Sequence, residues 1–558
     1  MKRLGIMLLS LVLLLTTVAG CGSEGKDSEV STATGSQSKS SAAGKVNEYG
    51  WEVPEKTLEI SYYVGQDNPD TVAKNSKLIS DLLLEKFNVK LNKIVYDTDM
   101  IEKLNLMLAS NDYPDVISNM KVDEALKWVD LGKAQELTPL IDEYGPEIKK
   151  QMGDYLKRYE DDDGKIFNLP VGWGLLPIAD AAAQVRLDWY KEIGSPEFKT
   201  PDEYYEVLKK LVEKHPVNAA GEKVYALGAW KDDVYPTMIP EQLGGIWGLK
   251  RGYKEDADHN LTHWVNTDEG LELTKWYNRF AREGLLDPDT FTQKRDDWGA
   301  KCSNERYAGH FATWWVTKDF GNMTWLKTKK DYNDDMRYPH YDIKAPIAEK
   351  SYLNPKSTMG WGRTIITDKC KNPKDVMKWW NFEVSDMGTK LLSWGIPNTE
   401  TSVWNLTESG EWSWNQNMTK TLEDSTFDQA KFDLNGGVSY WMVMGQQLHE
   451  DGTQAWIDQN FPSKWFKLKD ENLKDTVFDF SAFFAISLPA DEPVTVENQQ
   501  VRDIVTTGFA NAVMSKTESE CVAKFMEMRE KASKAGLKEV EDFYSQQYKK
   551  NLVKWNME

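Results

Sequence analysis

Residues 58–118 read as strand, helix, strand, helix, strand, and that alternation constrains the fold more than any other feature of the chain. Leu58-Glu59-Ile60-Ser61-Tyr62-Tyr63-Val64 alternates in polarity and predicts a strand, closed by Gly65 and the loop Gln66-Asp67-Asn68-Pro69. A helix is expected over 70–87, with Leu78, Ile79, Leu82 and Leu83 on one face, and a second strand over 89–96. Asp99 is placed to cap a helix carrying Ile101, Leu104, Met107 and Leu108. Asn111-Asp112-Tyr113-Pro114 breaks that helix, and Asp115-Val116-Ile117-Ser118 resumes an extended run. Strands separated by helices pair in parallel through crossovers, and such sheets bind ligands beyond the carboxyl ends of their strands. Gly65 to Asn68 and Ser118-Asn119 are therefore expected at the mouth of a cleft.

The amino terminus predicts where this sheet works. Lys2 and Arg3 precede an apolar run from Leu4 to Leu15, the layout of a secretory signal and too short to span a bilayer. Val18-Ala19-Gly20-Cys21 resembles the lipobox of bacterial lipoproteins, in which the cysteine carries a diacylglyceryl group and becomes the first residue. The resemblance implies a signal peptide over 1–20 and lipidation at Cys21. Each buried methylene contributes about 0.8 kcal/mol, so two or more acyl chains anchor stably. The expected location is the outer face of the cell membrane. Residues 21–50 are Ser-, Gly-, Lys- and Thr-rich and read as a disordered tether with a mean reach of about 30 Å.

With 558 residues, the chain is long enough for two or more lobes. The formal charge is −20, and removing residues 1–20, which hold Lys2 and Arg3 and no acid, makes it −22. No basic cluster relieves this, which argues against nucleic acid or anionic lipid as partners. Cys302, Cys370 and Cys521 are scattered and odd in number; at most one disulfide is possible, and buried free thiols are expected. Tryptophan is the outlier, with 23 copies, several beside glycine: Gly172-Trp173-Gly174, Gly360-Trp361-Gly362 and Ser393-Trp394-Gly395. Glycine permits close backbone approach, where a flat ring can face a ligand.

A series of segments in shared order resembles the extracellular solute-binding proteins of carbohydrate ABC importers, in particular their large lipoprotein members. Leu106 to Val116 (LMLASNDYPDV) resembles the family's "lMlASGDyPDvi" segment, and Gly132 to Leu140 with Tyr144-Gly145-Pro146 its "GxxxxLxPLI" segment. Asp163 to Pro170 resembles the "DGKiYgLP" hairpin, and Arg186 to Trp189 with Thr200-Pro201-Asp202-Glu203 the "yRkDWL…PkTwdE" segment. Arg282 to Pro288, Tyr307 to Trp315 and Asn372 to Gly388 continue the series, and the match thins beyond 396. The resemblance implies an α/β fold of the type II periplasmic-binding-protein class, two α/β lobes with a hinge and an interlobe ligand cleft. Lobe one is expected over 51–175 and 358–393, lobe two over 176–357 and 394–558. Some members carry a calcium loop after the "PkTwdE" helix; His215 to Gly221 has few oxygen ligands left, so no calcium is expected there. The Trp-rich segment 400–470 aligns to no function.

Sugars offer apolar faces rimmed with hydroxyls, so their clefts need aromatic plates and polar groups that bond in pairs. Candidate plates are Trp314 or Trp315, which strand alternation sends to opposite faces, with Trp173, Trp361, Trp394, Tyr235 and Trp247. Candidate hydroxyl partners are Asp67, Asn68, Asp115 and Arg186. For each the competing reading is core packing, turn capping or an internal ion pair. Glu160 to Gly164 reads as a hairpin turn before it reads as a metal site, and His259 and His263 lack the intervening glutamate of a zinc-protease motif.

These readings converge on a monomeric, membrane-anchored receptor that captures a carbohydrate, an oligosaccharide, by hinge closure and delivers it to an ABC permease. It is not expected to be an enzyme, or to need a cofactor or metal. Two other readings stay open. One is a surface glycan-degrading enzyme with a Trp-lined cleft, which needs two carboxylates roughly 5–10 Å apart. The other is a binding or sensory lipoprotein for a non-sugar ligand.

Overall fold

The computed structural model describes residues 44–65, 78–94, 100–174, 182–231, 239–313, 317–400, 402–418, 442–445, 447–456, 460, 464–489 and 492–557. The expected signal peptide, Cys21, Asp67, Asn68, Tyr235, Trp314 and Trp315 lie outside these residues. The tether was expected to reach residue 50, yet 44–50 already form a turn against the fold. Asn47 donates to Lys86 O at 2.9 Å, and Tyr49 is buried on Phe87.

The alternating segment forms the parallel ladder its pattern predicts. β1 (Leu58–Val64) pairs with β2 (Val89–Ile94) from Leu58 opposite Val89 to Tyr63 opposite Ile94. β3 (Val116–Met120) lies parallel on the other side of β1, with Tyr62 opposite Val116. The crossover helix α1 (Met100–Ser110) buries Met100, Leu104 and Met107, one stripe at helical spacing. Of the expected helix 70–87, the described residues 78–87 are helical, and Asn88 ends them in the left-handed conformation.

β4 (Leu169–Val171) and a much later strand complete a five-stranded sheet. A smaller sheet intervenes in the chain, with β5 (Ala183–Val185) antiparallel to both β6 (Gly309–His310) and β7 (His340–Tyr341). The late strand is then β8 (Gly362–Ile366), and the large sheet runs β2-β1-β3-β8-β4. β8 is antiparallel to both neighbours, with Ile366 opposite Val116 and Gly362 opposite Val171. Both sheets belong to one compact unit, Ser41–Glu558.

Two large hydrophobic clusters match the two sheets. The first joins Ile60, Tyr62, Val116, Leu169 and Ile366 to Trp379 and Trp380 of α3 (Pro373–Glu383). The second joins Val185 to Trp247, Trp276, Phe509 and Phe525, and to Tyr204, Leu208 and Leu211 of α2 (Pro201–Lys214). Thr200-Pro201-Asp202-Glu203 starts α2 with a capping box, the Glu203 N–H donating to Thr200 Oγ1 and the Thr200 N–H to Glu203 Oε2.

The first cluster also takes in Trp394, Trp404 and Met442 to Met444, which the expected division at residue 394 had grouped with lobe two. The reason is a buried carboxylate. Glu383 Oε2 accepts the N–H groups of Met442 and Val443 at 2.9 and 3.0 Å, drawing that segment onto the sheet. Thr364 Oγ1 donates to Met442 O, and the Gly172 N–H donates to Met444 O at 2.9 Å. Nearby, α4 (Asp386–Trp394) ends against the hairpin β9 (Trp404–Leu406) and β10 (Trp412–Trp414). There Lys390, 2% exposed, lies 5.2 and 5.1 Å from the Trp394 and Trp412 rings and 3.0 Å from Asp451.

The carboxy-terminal helix α5 (Leu537–Lys554) ends against the Glu160–Ile166 hairpin. Lys550 pairs with Asp162 at 2.9 Å, and Lys554 donates to Glu160 O at 2.9 Å. Cys302, Cys370 and Cys521 are buried free thiols, as expected. Among the described residues no helix is long and apolar enough to cross a membrane.

Candidate functional site

Four chain ends meet at one edge of the large sheet. β1 and β3 are parallel, so both carboxyl ends fall on that edge; β8 is antiparallel to β3, so its amino end joins them, and β4 leaves beside it. The chain leaves β1 at Gly65, whose N–H donates to Ser118 O at 2.8 Å. Near the end of β3, Asn119 is left-handed, with φ 56°. β4 leads into Gly172, with φ 69°, and β8 is entered through Gly360, with φ 65°. This is the edge where such sheets bind ligands.

Trp361 stands at that edge and is 37% exposed. A Cβ built on Gly172 would lie 2.1–2.3 Å from its ring atoms, so the glycine backbone lies against the indole. The Trp361 N–H donates to Val171 O at 3.0 Å, and Trp456 meets the ring edge-on at 6.2 Å and 64°. The arrangement is a braced aromatic plate. Asn119 Oδ1 lies against Gly362, the residue after Trp361, 2.2 Å from a Cβ built there, and among the described residues it has no hydrogen-bond donor. Asn119 was expected at the cleft mouth from the end of its strand, though not singled out as a ligand contact; Trp456 was not expected, because it comes from the segment that aligned to nothing.

The other described candidates are placed differently. Trp173 is at the same edge, but its ring turns inward, 4% exposed, with Nε1 donating to Val443 O at 2.9 Å. Trp394 is 1% exposed, donates to Ala455 O at 3.0 Å and packs 4.4 Å from Trp414. Trp247 is 3% exposed in the second cluster, 5.6 Å from Trp276. Asp115 precedes β3 and so stands at the opposite edge, where Oδ2 accepts from Ser61 N at 2.9 Å. Arg186 is 1% exposed and bonds Asp188 at 2.6 and 2.8 Å and Glu305 at 2.8 Å. Burial works against its charge, yet Tyr338, Asp188 and Glu305 outweigh that and raise its pKa. Trp173, Trp247, Trp394, Asp115 and Arg186 are thus occupied by packing or internal pairing, each the competing reading of its residue.

The smaller sheet carries a buried polar stripe. Gln184 of β5 stands opposite both His310 and His340 and meets His340 Nε2 at 2.7 Å. Burial pushes both imidazoles down to about 3, so they are neutral. β6 leads through Thr313 toward Trp314 and Trp315. The 215–224 turn is organised by Asn218, whose Oδ1 accepts from Ala220 N and Glu222 N at 3.0 and 2.9 Å. Among the described residues no group of three or more His, Cys, Asp and Glu is placed to hold a metal ion.

Comparison with solved structures decides the fold. The chain superposes on the FusA substrate-binding protein of an S. pneumoniae ABC transporter, an EF-hand mutant in complex with fructo-nystose. The TM-score is 0.66 at 17% identity, covering 89% of this chain and 99% of that one. It also superposes on the alginate-binding protein AlgQ2 without calcium ion, at TM-score 0.64 and 19% identity, with the same coverage. The fold is that of the type II solute-binding proteins. In this fold two α/β lobes flank a hinged cleft. Sequence relatives include an ABC-transporter substrate-binding protein and a lipoprotein. The fructooligosaccharide-transporter protein FusA of Streptococcus pneumoniae serotype 4 is 24% identical over 344 residues, 58% of this chain and 60% of FusA. Lipoprotein LipO of Bacillus subtilis is 27% identical over 221 residues, 39% of this chain and 40% of LipO. The chain thus matches less than two thirds of either curated relative's length. No family model matches. FusA and AlgQ2 are named for binding, and LipO is named only as a lipoprotein.

Proposed function

We propose that this protein is an extracellular receptor for an oligosaccharide, anchored to the membrane through lipid on Cys21, that hands its ligand unaltered to an ABC permease. The observation that carries the reading is the Trp361 plate, half-exposed and braced by Gly172 at the edge where this fold binds ligands. The sugar-binding names of FusA and AlgQ2 support it. In this reading the lobes follow the two large clusters, and Trp314 or Trp315 supplies a second plate across the cleft. A ligand that touches both lobes only when they close draws the population to the closed form.

The test is calorimetric titration of the purified mature protein with fructo-oligosaccharides and with alginate and polygalacturonate oligomers, alongside chromatography of the mixture. Saturable binding to one class, weakened at least tenfold by Trp361→Ala and without product, is expected. Cleaved glycan would favour the enzyme, and no binding by any of them would remove the sugar reading. Cys21→Ser is expected to release the protein from the membrane fraction.

A further inference from the structure

The loop that presents Trp361 is held from behind by an arginine that no ion pair explains. Arg363 is 3% exposed, and among the described residues no carboxylate pairs with it. Its Nη1 donates instead to Met359 O at 2.6 Å and Gly362 O at 3.0 Å, the carbonyls on either side of Gly360-Trp361. The guanidinium also lies 5.2 Å from the Tyr159 ring, and the Tyr159 hydroxyl donates to Thr358 O at 2.9 Å. Arg158 reaches the Thr358 hydroxyl, and Ser481 Oγ accepts from Thr358 N at 3.0 Å. Gly360 allows no side chain, because a Cβ there would lie 2.3 Å from Val171 O. A buried cation without a counter-ion is costly, and here its hydrogen bonds go to one short loop.

Resting on the reading of Trp361 as the sugar plate, we propose that Arg363 is its positioning residue: by gripping the carbonyls of Met359 and Gly362 it fixes the plane on which the ligand stacks. The glycine backbone of residue 172 braces the ring from the front strand, and the guanidinium holds the loop that carries it. Preorganising a plate in this way removes an ordering cost from binding.

Fluorine NMR of the mature protein labelled with 5-fluorotryptophan tests this without any ligand, Trp361→Phe identifying the resonance. Arg363→Met is expected to shift or broaden the Trp361 line, and that of its neighbour Trp456, while Trp247 and Trp128 stay unchanged. Arg363→Lys, which keeps donors, is expected to restore most of the wild-type position. A Trp361 line unmoved by Arg363→Met overturns the proposal, as does general broadening of all indoles. If Arg363→Met does not fold, Arg363→Gln is read in the same way. With whichever fructo-oligosaccharide or uronate oligomer binds, Arg363→Met should weaken affinity about tenfold in the Trp361 protein and leave it unchanged in the Trp361→Ala background. Equal losses in both backgrounds would refute positioning. Should no oligomer bind, the sugar reading fails while the resonance still reports on Arg363.

Discussion

Glu383 Oε2 accepts the backbone N–H of Val443 at 3.0 Å, although sixty residues separate the two. The same oxygen takes Met442 N, and Oε1 takes the Trp379 indole N–H at 2.8 Å. The side chain is fully buried, and burial pushes its pKa from 4.5 up to about 8 against the pull of those three donors. A folded value above the unfolded one gives stability that is complete below about pH 4.5 and is lost as pH rises through 8. Glutamine keeps one acceptor oxygen and cannot titrate. The stability of Glu383→Gln relative to the wild type should therefore rise by about 2–3 kcal/mol between pH 6 and pH 9. Thermal unfolding from pH 6 to 9.5 measures this; identical slopes in both proteins would contradict it.

The buried imidazoles set the acid side. His263, His310 and His340 are each pushed by burial from 6.5 to about 3. Between those values the unfolded chain binds protons that the folded chain does not, so stability falls as pH drops through that window. Denaturant unfolding between pH 7 and 4 should show a steady loss, and His310→Gln should make it shallower. An unchanged slope in that variant would mean that His310 is protonated in the folded protein.

Lys390 ties the tryptophan hairpin to α4 and to Asp451. Lys390→Met keeps the stem but removes the charge that faces Trp394, Trp412 and Asp451. The expected cost is about 1–3 kcal/mol. Amide exchange should rise in 404–414 before it rises in β1 or β3. Uniform exchange across the fold would show that the hairpin does not open separately.

Arg186 separates folding from binding. Replacing it with leucine leaves Asp188 and Glu305 without their shared guanidinium, at a cost of about 3–5 kcal/mol. Arg186→Lys should cost less, and its affinity for any oligosaccharide should equal that of the wild type. A Lys variant that folds normally yet binds tenfold more weakly would return Arg186 to the binding site.

The parallel core β1, β2 and β3 was legible because each strand and its crossover helix carries its own periodicity within a short span. β4 and β8 were not readable as partners, since a three-residue strand and one returning after some two hundred residues meet only through long-range register. At the site, local pattern and burial parted company. Trp361 and Trp394 both adjoin glycine, but Gly172 leaves Trp361 exposed while Gly395, with φ 84°, merely ends α4 above a packed indole. Asp115 adjoins a strand whose pattern was clear; which edge it occupied depended on strand direction. Arg363 gave no signal, because its task is to hold backbone carbonyls that any residue possesses.

The three interior thiols have a practical consequence. Burial raises Cys302 and Cys370 to about 12 and Cys521 to about 11, leaving them almost entirely protonated and unreactive at neutral pH. Once Cys21 is replaced by serine, two cysteines engineered onto the surface, one beside each sheet, would be the only sites open to maleimide dyes. Whether the two sheets move relative to one another could then be tested one molecule at a time by energy transfer, with no native cysteine deleted from the interior.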